Sequence, residues 1–116
     1  MPFKRGDVVL VLFPDSNLRT AKRRPALIIQ ADNLNTGLPQ SIVAMITSNM
    51  SRAGHASRVT LPLNSEEGRQ AHILMDSVVM TDNLATVREN EIDRALGSLW
   101  DMSKIDAALR HTLSLH

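Results

Sequence analysis

Four basic side chains fall within residues 19–24: Arg19, Lys22, Arg23 and Arg24. Apolar runs flank this stretch on both sides, so its charges are held between two segments that look buried. A cluster of fixed positive charge suits the phosphodiester backbone of a nucleic acid, and a guanidinium group can hold two phosphate oxygens at once. The stretch therefore indicates that the chain binds a polyanion, and Arg24 is the residue on which any chemistry would centre.

Two hydroxyl side chains, Thr47 and Ser48, stand at the end of the third apolar run. A hydroxyl beside a bound phosphate can donate a hydrogen bond to a non-bridging oxygen and stabilise the charge that develops there. Threonine at a strand end is also common because of its β propensity alone. Residue types and spacing leave both interpretations open.

The apolar runs that must position these groups are short and bounded by turn formers, which is typical of strands. We predict strands at residues 8–13, 25–30, 41–48, 58–63, 73–80 and 84–87, with a turn at 14–17. A short helix is predicted over 90–96 and a terminal amphipathic helix over 103–113. Trp100 is expected in the core between these helices. The pattern predicts a mainly β fold, a small bent sheet or barrel with a terminal helix.

Composition narrows the class of protein further. A chain of 116 residues has the size of one domain, and it contains no cysteine for a disulfide or a thiolate zinc site. Its four histidines lack metal-ligand spacing, so we expect neither a metal nor a cofactor. No apolar run approaches the ~20 residues that cross a bilayer, and no secretory signal is evident, so a cytoplasmic protein with no membrane contact is expected.

The charge is unevenly distributed along the chain. Residues 1–60 hold eight Lys or Arg against three Asp, whereas residues 61–116 hold five basic and nine acidic side chains. This asymmetry favours a polyanion-facing surface that is built mainly from the first half.

Short motifs in a fixed order now point to a family. They are Gly6-Asp7, Phe13-Pro14, Arg24-Pro25-Ala26, Ile46-Thr47-Ser48, Asp76-Ser77-Val78-Val79, Thr81-Asp82-Asn83-Leu84 and Thr86-Val87. In this order and spacing the chain resembles the MazF/PemK toxins of bacterial toxin–antitoxin systems. The resemblance implies an SH3-like barrel of the CcdB/MazF/PemK type over residues 1–116 as a single domain. It also implies a homodimer, a cognate antitoxin, and metal-independent, sequence-specific cleavage of single-stranded RNA, the activity of an mRNA interferase.

By matching position, the resemblance makes Arg24 and Thr47 catalytic, and Asp82 the candidate base. The chain departs from the family pattern at three places: Arg19 replaces a loop glutamate that several members carry, Ala85 replaces a basic residue, and Met80 stands where some members are basic. The predicted RNA contacts are Arg19, Lys22, Arg23, Ser48 and Arg58.

The predicted reaction uses the 2′-OH of the RNA as its nucleophile. Arg24 suits the stabilisation of charge on phosphorus, because its guanidinium stays protonated and binds two oxygens. Thr47 would donate to a non-bridging oxygen, and Asp82 would accept the 2′-OH proton. An acidic, disordered antitoxin segment would compete for the same basic groove.

Two other functions compete with this prediction. The first is a non-catalytic toxin of the CcdB type that inhibits DNA gyrase, although CcdB relatives lack the Arg-Pro-Ala and Thr-Ser motifs and end in an aromatic-containing tail. The second is a small RNA-binding barrel without activity. Aromatic residues make up only 3% of the chain, which leaves little for a stacking platform.

Overall fold

A computed structural model describes residues 3–14 and 17–116 of the chain. In these ranges the elements are β1 (Asp7–Pro14), β2 (Ala21–Ile28), β3 (Gln40–Thr47), β4 (Arg58–Leu61), α1 (Glu66–Ala71), β5 (Ser77–Arg88), β6 (Ile92–Ser98) and α2 (Ser103–Leu113). Short 3-10 helices lie at Met50–Arg52 and Glu89–Glu91. The strands form one antiparallel sheet in the order β4-β5-β3-β2-β1-β6. The predicted mainly β fold with a terminal helix is confirmed.

Both faces of the sheet are buried, each under its own apolar cluster. The face toward the helices contains Leu27, Ile46 and Val79, which pack with Ile105 of α2. The opposite face contains a second cluster that no helix of the described chain joins: Val9, Val11, Phe13, Ala26, Ile28, Val43, Val87 and Ile92. Side chains alternate along a strand, so neighbouring residues of β1 and β2 serve different clusters.

The sheet curls around this second cluster. Val87 of β5 and Ile92 of β6 meet in it, although β5 and β6 are separated by three strands in the sheet order. A flat sheet would keep these two strands well apart, because neighbouring strands are about 4.8 Å from each other. The curvature therefore gives the sheet the barrel-like form that a small domain uses to bury both faces.

Strand β2 begins earlier than the sequence predicted. It starts at Ala21, so Lys22, Arg23 and Arg24 belong to a strand rather than to a loop. Pro25 lies inside this strand, where its missing N–H costs little, because pairing between β2 and β3 begins only at Ala26. Residues 15 and 16 of the predicted turn at 14–17 lie outside the described residues.

The predicted helix over 90–96 is wrong. Residues Ile92–Ser98 form β6, which pairs with β1 through two register shifts. Ile92 and Leu96 are four apart and suggested one face of a helix. With a bulge between them they instead reach the two opposite apolar clusters.

Strand β5 is one element where two short strands were predicted. Its register against β3 jumps at Ala44/Met45, so Leu84 faces Ala44 and Met80 faces Met45. Residues 81–83 are the extra residues of this irregularity. The strand therefore begins at Ser77 and continues through the Thr-Asp-Asn stretch that separates the two predicted strands.

One of the two α-helices was predicted from the sequence, and the other was not. Helix α2 spans the predicted residues 103–113, whereas α1 was not predicted, although Ser65 caps it by accepting from the Gly68 N–H at 2.9 Å. Trp100 was expected in the core, but 80% of it is exposed. No helix in residues 3–14 and 17–116 is long and apolar enough to span a membrane.

Candidate active site

A cleft of about 750 Å³ opens at the end of the second apolar cluster, and we call it the Arg24 cleft. Its described lining residues are Asn17, Leu18, Thr20, Lys22, Arg24, Met45, Thr47, Asn49, Arg52, Met80 and Asn83. Three strands supply its floor. Arg24 lies on β2, Thr47 at the end of β3, and Met80 on β5.

Strand alternation explains why the two predicted catalytic residues share this cleft. Arg24 is opposite Val11 in β1, and Ala26, two residues further on, is opposite Met45 in β3. Thr47 is two residues beyond Met45, so Arg24, Ala26, Met45 and Thr47 lie on one face of the sheet. The fold therefore brings together a guanidinium and a hydroxyl that are 23 positions apart in the sequence.

The hydroxyl of Thr47 is oriented by its own backbone. Its Oγ1 accepts a hydrogen bond from the N–H of Asn49 at 3.1 Å. A hydroxyl has one proton to donate besides its acceptor sites, so this contact leaves the proton of Thr47 available for a ligand oxygen. Arg24 is half-buried beside it, which reduces solvent screening of its charge.

The electrostatics of the Arg24 cleft are one-sided. Lys22, Arg24 and Arg52 line it, and its described lining contains neither Asp nor Glu. Among the residues that the structure describes, no group of three or more His, Cys, Asp or Glu could hold a metal ion. The cationic lining therefore suits a negatively charged ligand.

Asp82, the predicted base, lies outside the described lining of this cleft. Its Oδ2 accepts from Nη2 of Arg58 at 2.8 Å, and its Oδ1 accepts from Nε of Arg58 at 3.4 Å. The hydrogen bond from Arg58 holds the pKa of Asp82 below its usual value near 3.8. A lowered pKa weakens a base, so the geometry gives Asp82 an ion-pair role, and its catalytic role stays a prediction.

The predicted RNA contacts are divided by the sheet. Lys22 lines the Arg24 cleft, and Arg19 is exposed in the preceding loop, where its N–H donates to Asn17 Oδ1 at 2.9 Å. Arg23 and Ser48 point to the other face. Arg58 is bound to Asp82 and to the carbonyl oxygen of Arg52 at 3.2 Å.

Arg23 and Ser48 line a second cleft of about 470 Å³, which we call the Leu74 cleft. Its apolar lining residues are Leu10, Pro25, Ile46, Ile73, Leu74, Met75 and Leu96. Arg24 and Thr47 border both clefts, because the strands that carry them form the wall between the two.

Sequence analysis missed several residues of the Arg24 cleft, chiefly Arg52, Met45, Met80 and Asn83. Met45 and Met80 are directly opposite each other in β3 and β5. Asn83 enters the cleft from the irregular stretch of β5. The Thr-Asp-Asn sequence between the two predicted strands was the available signal for this stretch.

Comparisons with known proteins agree with this architecture. The sequence model for the PemK-like, MazF-like toxins of type II toxin–antitoxin systems matches residues 4–113. Endoribonuclease MazF6 of Mycobacterium tuberculosis is 34% identical over 107 residues, which cover 90% of each chain. Endoribonuclease EndoA of Bacillus subtilis is 30% identical over 118 residues, which cover 99% of this chain and 97% of EndoA.

A solved structure shares the fold. It is described as an endoribonuclease in complex with its cognate antitoxin from a mycobacterial species, and it superposes with a TM-score of 0.75 at 22% identity. The match covers 98% of this chain and 97% of that chain. The predicted toxin fold is thereby confirmed, and the chain belongs to the PemK-like, MazF-like toxin family of type II toxin–antitoxin systems.

Proposed function

We propose that this toxin is an endoribonuclease, an mRNA interferase that cleaves single-stranded RNA at specific sequences without a metal ion. The observation that carries the proposal is the placement of Arg24 and Thr47 on one face of the sheet, in a cleft whose described lining is cationic. The relatives named above are endoribonucleases, which supports the same activity for this chain.

In the proposed reaction the 2′-oxygen of the RNA loses its proton and attacks the adjacent phosphorus. The bond from phosphorus to the 5′-oxygen breaks, and that oxygen leaves with a proton, so the products are a 2′,3′-cyclic phosphate and a 5′-hydroxyl. Arg24 stabilises the extra charge on the non-bridging oxygens as phosphorus becomes five-coordinate. The Thr47 hydroxyl donates a hydrogen bond to one of the same oxygens.

The flanking phosphates of the RNA are held by the other cations of the cleft. Lys22 and Arg52 line it, and the exposed Arg19 extends the positive surface along the preceding loop. The predicted contacts Arg23 and Ser48 belong to the opposite face, so they would touch RNA only where the strand passes the edge of the sheet.

The proposed partners are single-stranded RNA, a second copy of the chain, and a cognate antitoxin with an acidic segment, with residues 1–116 as one toxin domain. A structural neighbour is described in complex with its cognate antitoxin, which supports this partner class. An acidic segment would be attracted to the same cationic cleft as RNA, so inhibition requires no change in the toxin's shape. The proposed compartment is the cytoplasm.

The test incubates the purified protein with a long unstructured RNA in EDTA and maps the new 5′ ends. Discrete cuts at a short recurring sequence are expected, with 5′-hydroxyl ends. Intact RNA would contradict the proposal. Intact RNA together with blocked supercoiling by gyrase would instead support a CcdB-type toxin.

A further inference from the structure

The Arg24 cleft has an uncharged part as well as a cationic one. Met45 and Met80 are cross-strand neighbours that line it side by side, and Asn83 lines it next to them. Asn83 Nδ2 donates to Met45 Sδ at 3.0 Å. Two thioethers and an amide thus form a half-buried, neutral surface beside the residues that are proposed to hold phosphate.

Three asparagine amides line this cleft, and they differ in what their carbonyl oxygens do. Asn17 Oδ1 accepts from the N–H groups of Arg19 and Thr20, and Asn49 Oδ1 accepts from the N–H and hydroxyl of Ser51. The carbonyl oxygens of both amides are therefore occupied by hydrogen bonds from residues close in sequence.

The amide of Asn83 makes fewer hydrogen bonds than the other two. Within residues 3–14 and 17–116, its Oδ1 has no hydrogen-bond partner, and one of its two N–H groups contacts only the weak acceptor of Met45. Asn83 therefore offers one acceptor and one donor, side by side, to a ligand in the cleft.

The irregularity of β5 is what points Asn83 into this cleft. Residues three apart in a regular strand face opposite sides of the sheet, yet Met80 and Asn83 line the same cleft. The register shift opposite Ala44/Met45 changes the alternation between them. Bulges are found next to active sites, where they redirect a side chain.

Contacts of the two residues that precede Asn83 hold this geometry. The fully buried Thr81 donates through its Oγ1 to the carbonyl oxygen of Ser57 at 2.7 Å and lies 2.8 Å from Thr112 Oγ1. Asp82 is fixed by Arg58. A donor and acceptor pair that is held in place before a ligand arrives is what selective recognition requires.

We propose that Met45, Met80 and Asn83 form a nucleobase subsite that makes cleavage sequence-specific. The two thioethers contact the flat face of an unpaired base, which compensates for the scarcity of aromatic side chains, and the Asn83 amide reads the base edge. Adenine is the first expected base, because its N6 donor and neighbouring ring acceptor match one asparagine amide, and cytosine, which carries a similar pair at N4 and N3, is the second. The inference rests on the proposed RNA-cleaving function, since it assigns the substrate that lies in the same cleft.

The test measures binding rather than cleavage. Protein labelled with ¹³C in its methionine methyl groups is titrated with the four nucleoside 5′-monophosphates and with ribose 5-phosphate, which carries the same sugar and phosphate but no base. The signals of Met45 and Met80 are expected to shift, and adenosine monophosphate should bind about 5- to 150-fold more tightly than ribose 5-phosphate. The signal of Met102, which packs in the cluster beneath the helices, is an internal control for folding.

Two variants within the subsite and one control outside it separate recognition from structure. Asn83→Asp replaces the donor with an acceptor and should abolish the preference for adenosine monophosphate, while its added negative charge weakens the binding of all five phosphate ligands, ribose 5-phosphate included. Met80→Leu keeps the apolar surface and should retain the preference. Asn90→Asp adds the same charge at an exposed position outside the cleft and should change nothing.

Equal affinities for all five ligands, or the same ranking of bases in Asn83→Asp as in the wild type, would overturn the inference. The same variants are then used to map cut sites in a randomised RNA. Base-selective binding without any cutting would reject the proposed activity and leave the subsite standing. Cutting at an unchanged sequence by Asn83→Asp would reject the subsite and leave the activity standing.

Discussion

The two clefts of this protein share a wall but differ in chemistry. The Arg24 cleft is lined by cations, amides and thioethers, whereas the Leu74 cleft on the other face combines arginines with a larger apolar surface and has no amide in its described lining. Both draw on β2 and β3. Consecutive side chains of β2 point to opposite faces, so Arg23 lines only the Leu74 cleft, whereas Arg24 lines the Arg24 cleft and borders the other. Adjacent basic residues in a strand therefore contribute their side chains to two surfaces rather than to one.

Irregular backbone marks the second difference between the clefts. The bulge of β5 supplies Asn83 to the Arg24 cleft, and the 3-10 helix Met50–Arg52 supplies Arg52. The Leu74 cleft instead gains its most exposed apolar side chain from the segment between α1 and β5, where 92% of Leu74 is exposed. The irregular backbone around the Arg24 cleft thus contributes an amide and a guanidinium, while the segment between α1 and β5 contributes apolar side chains to the Leu74 cleft.

The strongest test of this comparison removes either the guanidinium of Arg24, which borders both clefts, or that of Arg94, which lines the Leu74 cleft alone. Arg24→Ala should lower the cleavage rate by about 10²–10³ while the fold stays intact, because a preorganised donor to the transition state is lost. Arg24→Lys should also fail substantially, since an ammonium group cannot make the two-point contact. Arg94→Ala, which removes an exposed arginine from the Leu74 cleft, is the matched control and should cut at the wild-type rate.

Initial rates on a defined RNA, with circular dichroism to confirm folding, give the comparison. Wild-type cutting by folded Arg24→Ala would remove Arg24 from the mechanism. An equal loss in Arg94→Ala would show that both clefts take part in the reaction.

Sequence reasoning identified the regular parts of this division and missed the irregular ones. The apolar runs of β1 to β4 and the stripe of α2 follow simple periods, so their positions could be predicted. The family resemblance identified Arg24 and Thr47 as site residues, and the alternation of side chains along β2 and β3 explains why the two lie on the same face of the sheet. Bulges explain the two wrong predictions, because extra residues break the two-residue alternation by which a strand is recognised. In β6 they left a spacing that resembles a helix, and in β5 they made one strand look like two.

A second substitution removes the buried contacts of Thr81 that hold the β5 bulge. Thr81→Val removes the hydroxyl that donates to Ser57 and pairs with Thr112, and it should lower the free energy of unfolding by about 1–3 kcal/mol. Thr86→Val, at an exposed position of the same strand, is the control and should change stability by less than about 0.5 kcal/mol. Urea unfolding measures both, and equal stabilities would mean that the bulge does not depend on this contact.

A smaller effect separates the two faces of β2. Lys22→Glu should weaken RNA binding and flatten its dependence on salt, since each phosphate contact contributes a slope of about −0.7 for single strands. Arg23→Glu, one residue on but facing the Leu74 cleft, should change the slope less. Binding of labelled RNA to the inactive Arg24→Ala protein across a salt series measures both slopes. Equal changes would mean that RNA contacts both faces, as the sequence alone suggested.

The smallest expected effect concerns the ion pairs beside the two clefts, Arg58–Asp82 and Asp93–Arg94, each with a closest separation of 2.8 Å. Because Arg58 lowers the pKa of Asp82 in the folded chain, the pair contributes stability above the ordinary carboxylate pKa of about 4. That contribution is lost as the pH falls through the lowered pKa. Asp82→Asn should therefore be slightly less stable than the wild type at neutral pH, and the difference should disappear in acid.

The same variant decides whether Asp82 is the base. If it only anchors the bulge, Asp82→Asn should lower the maximal cleavage rate far less than Arg24→Ala does, and mainly loosen the choice of sequence through its neighbour Asn83. Asp93→Asn, which removes the ion pair beside the Leu74 cleft, should change neither rate nor sequence. A loss of about 10²–10⁴ in the Asp82→Asn rate at neutral pH, with the cut sequence unchanged, would restore Asp82 as the group that takes the 2′-OH proton.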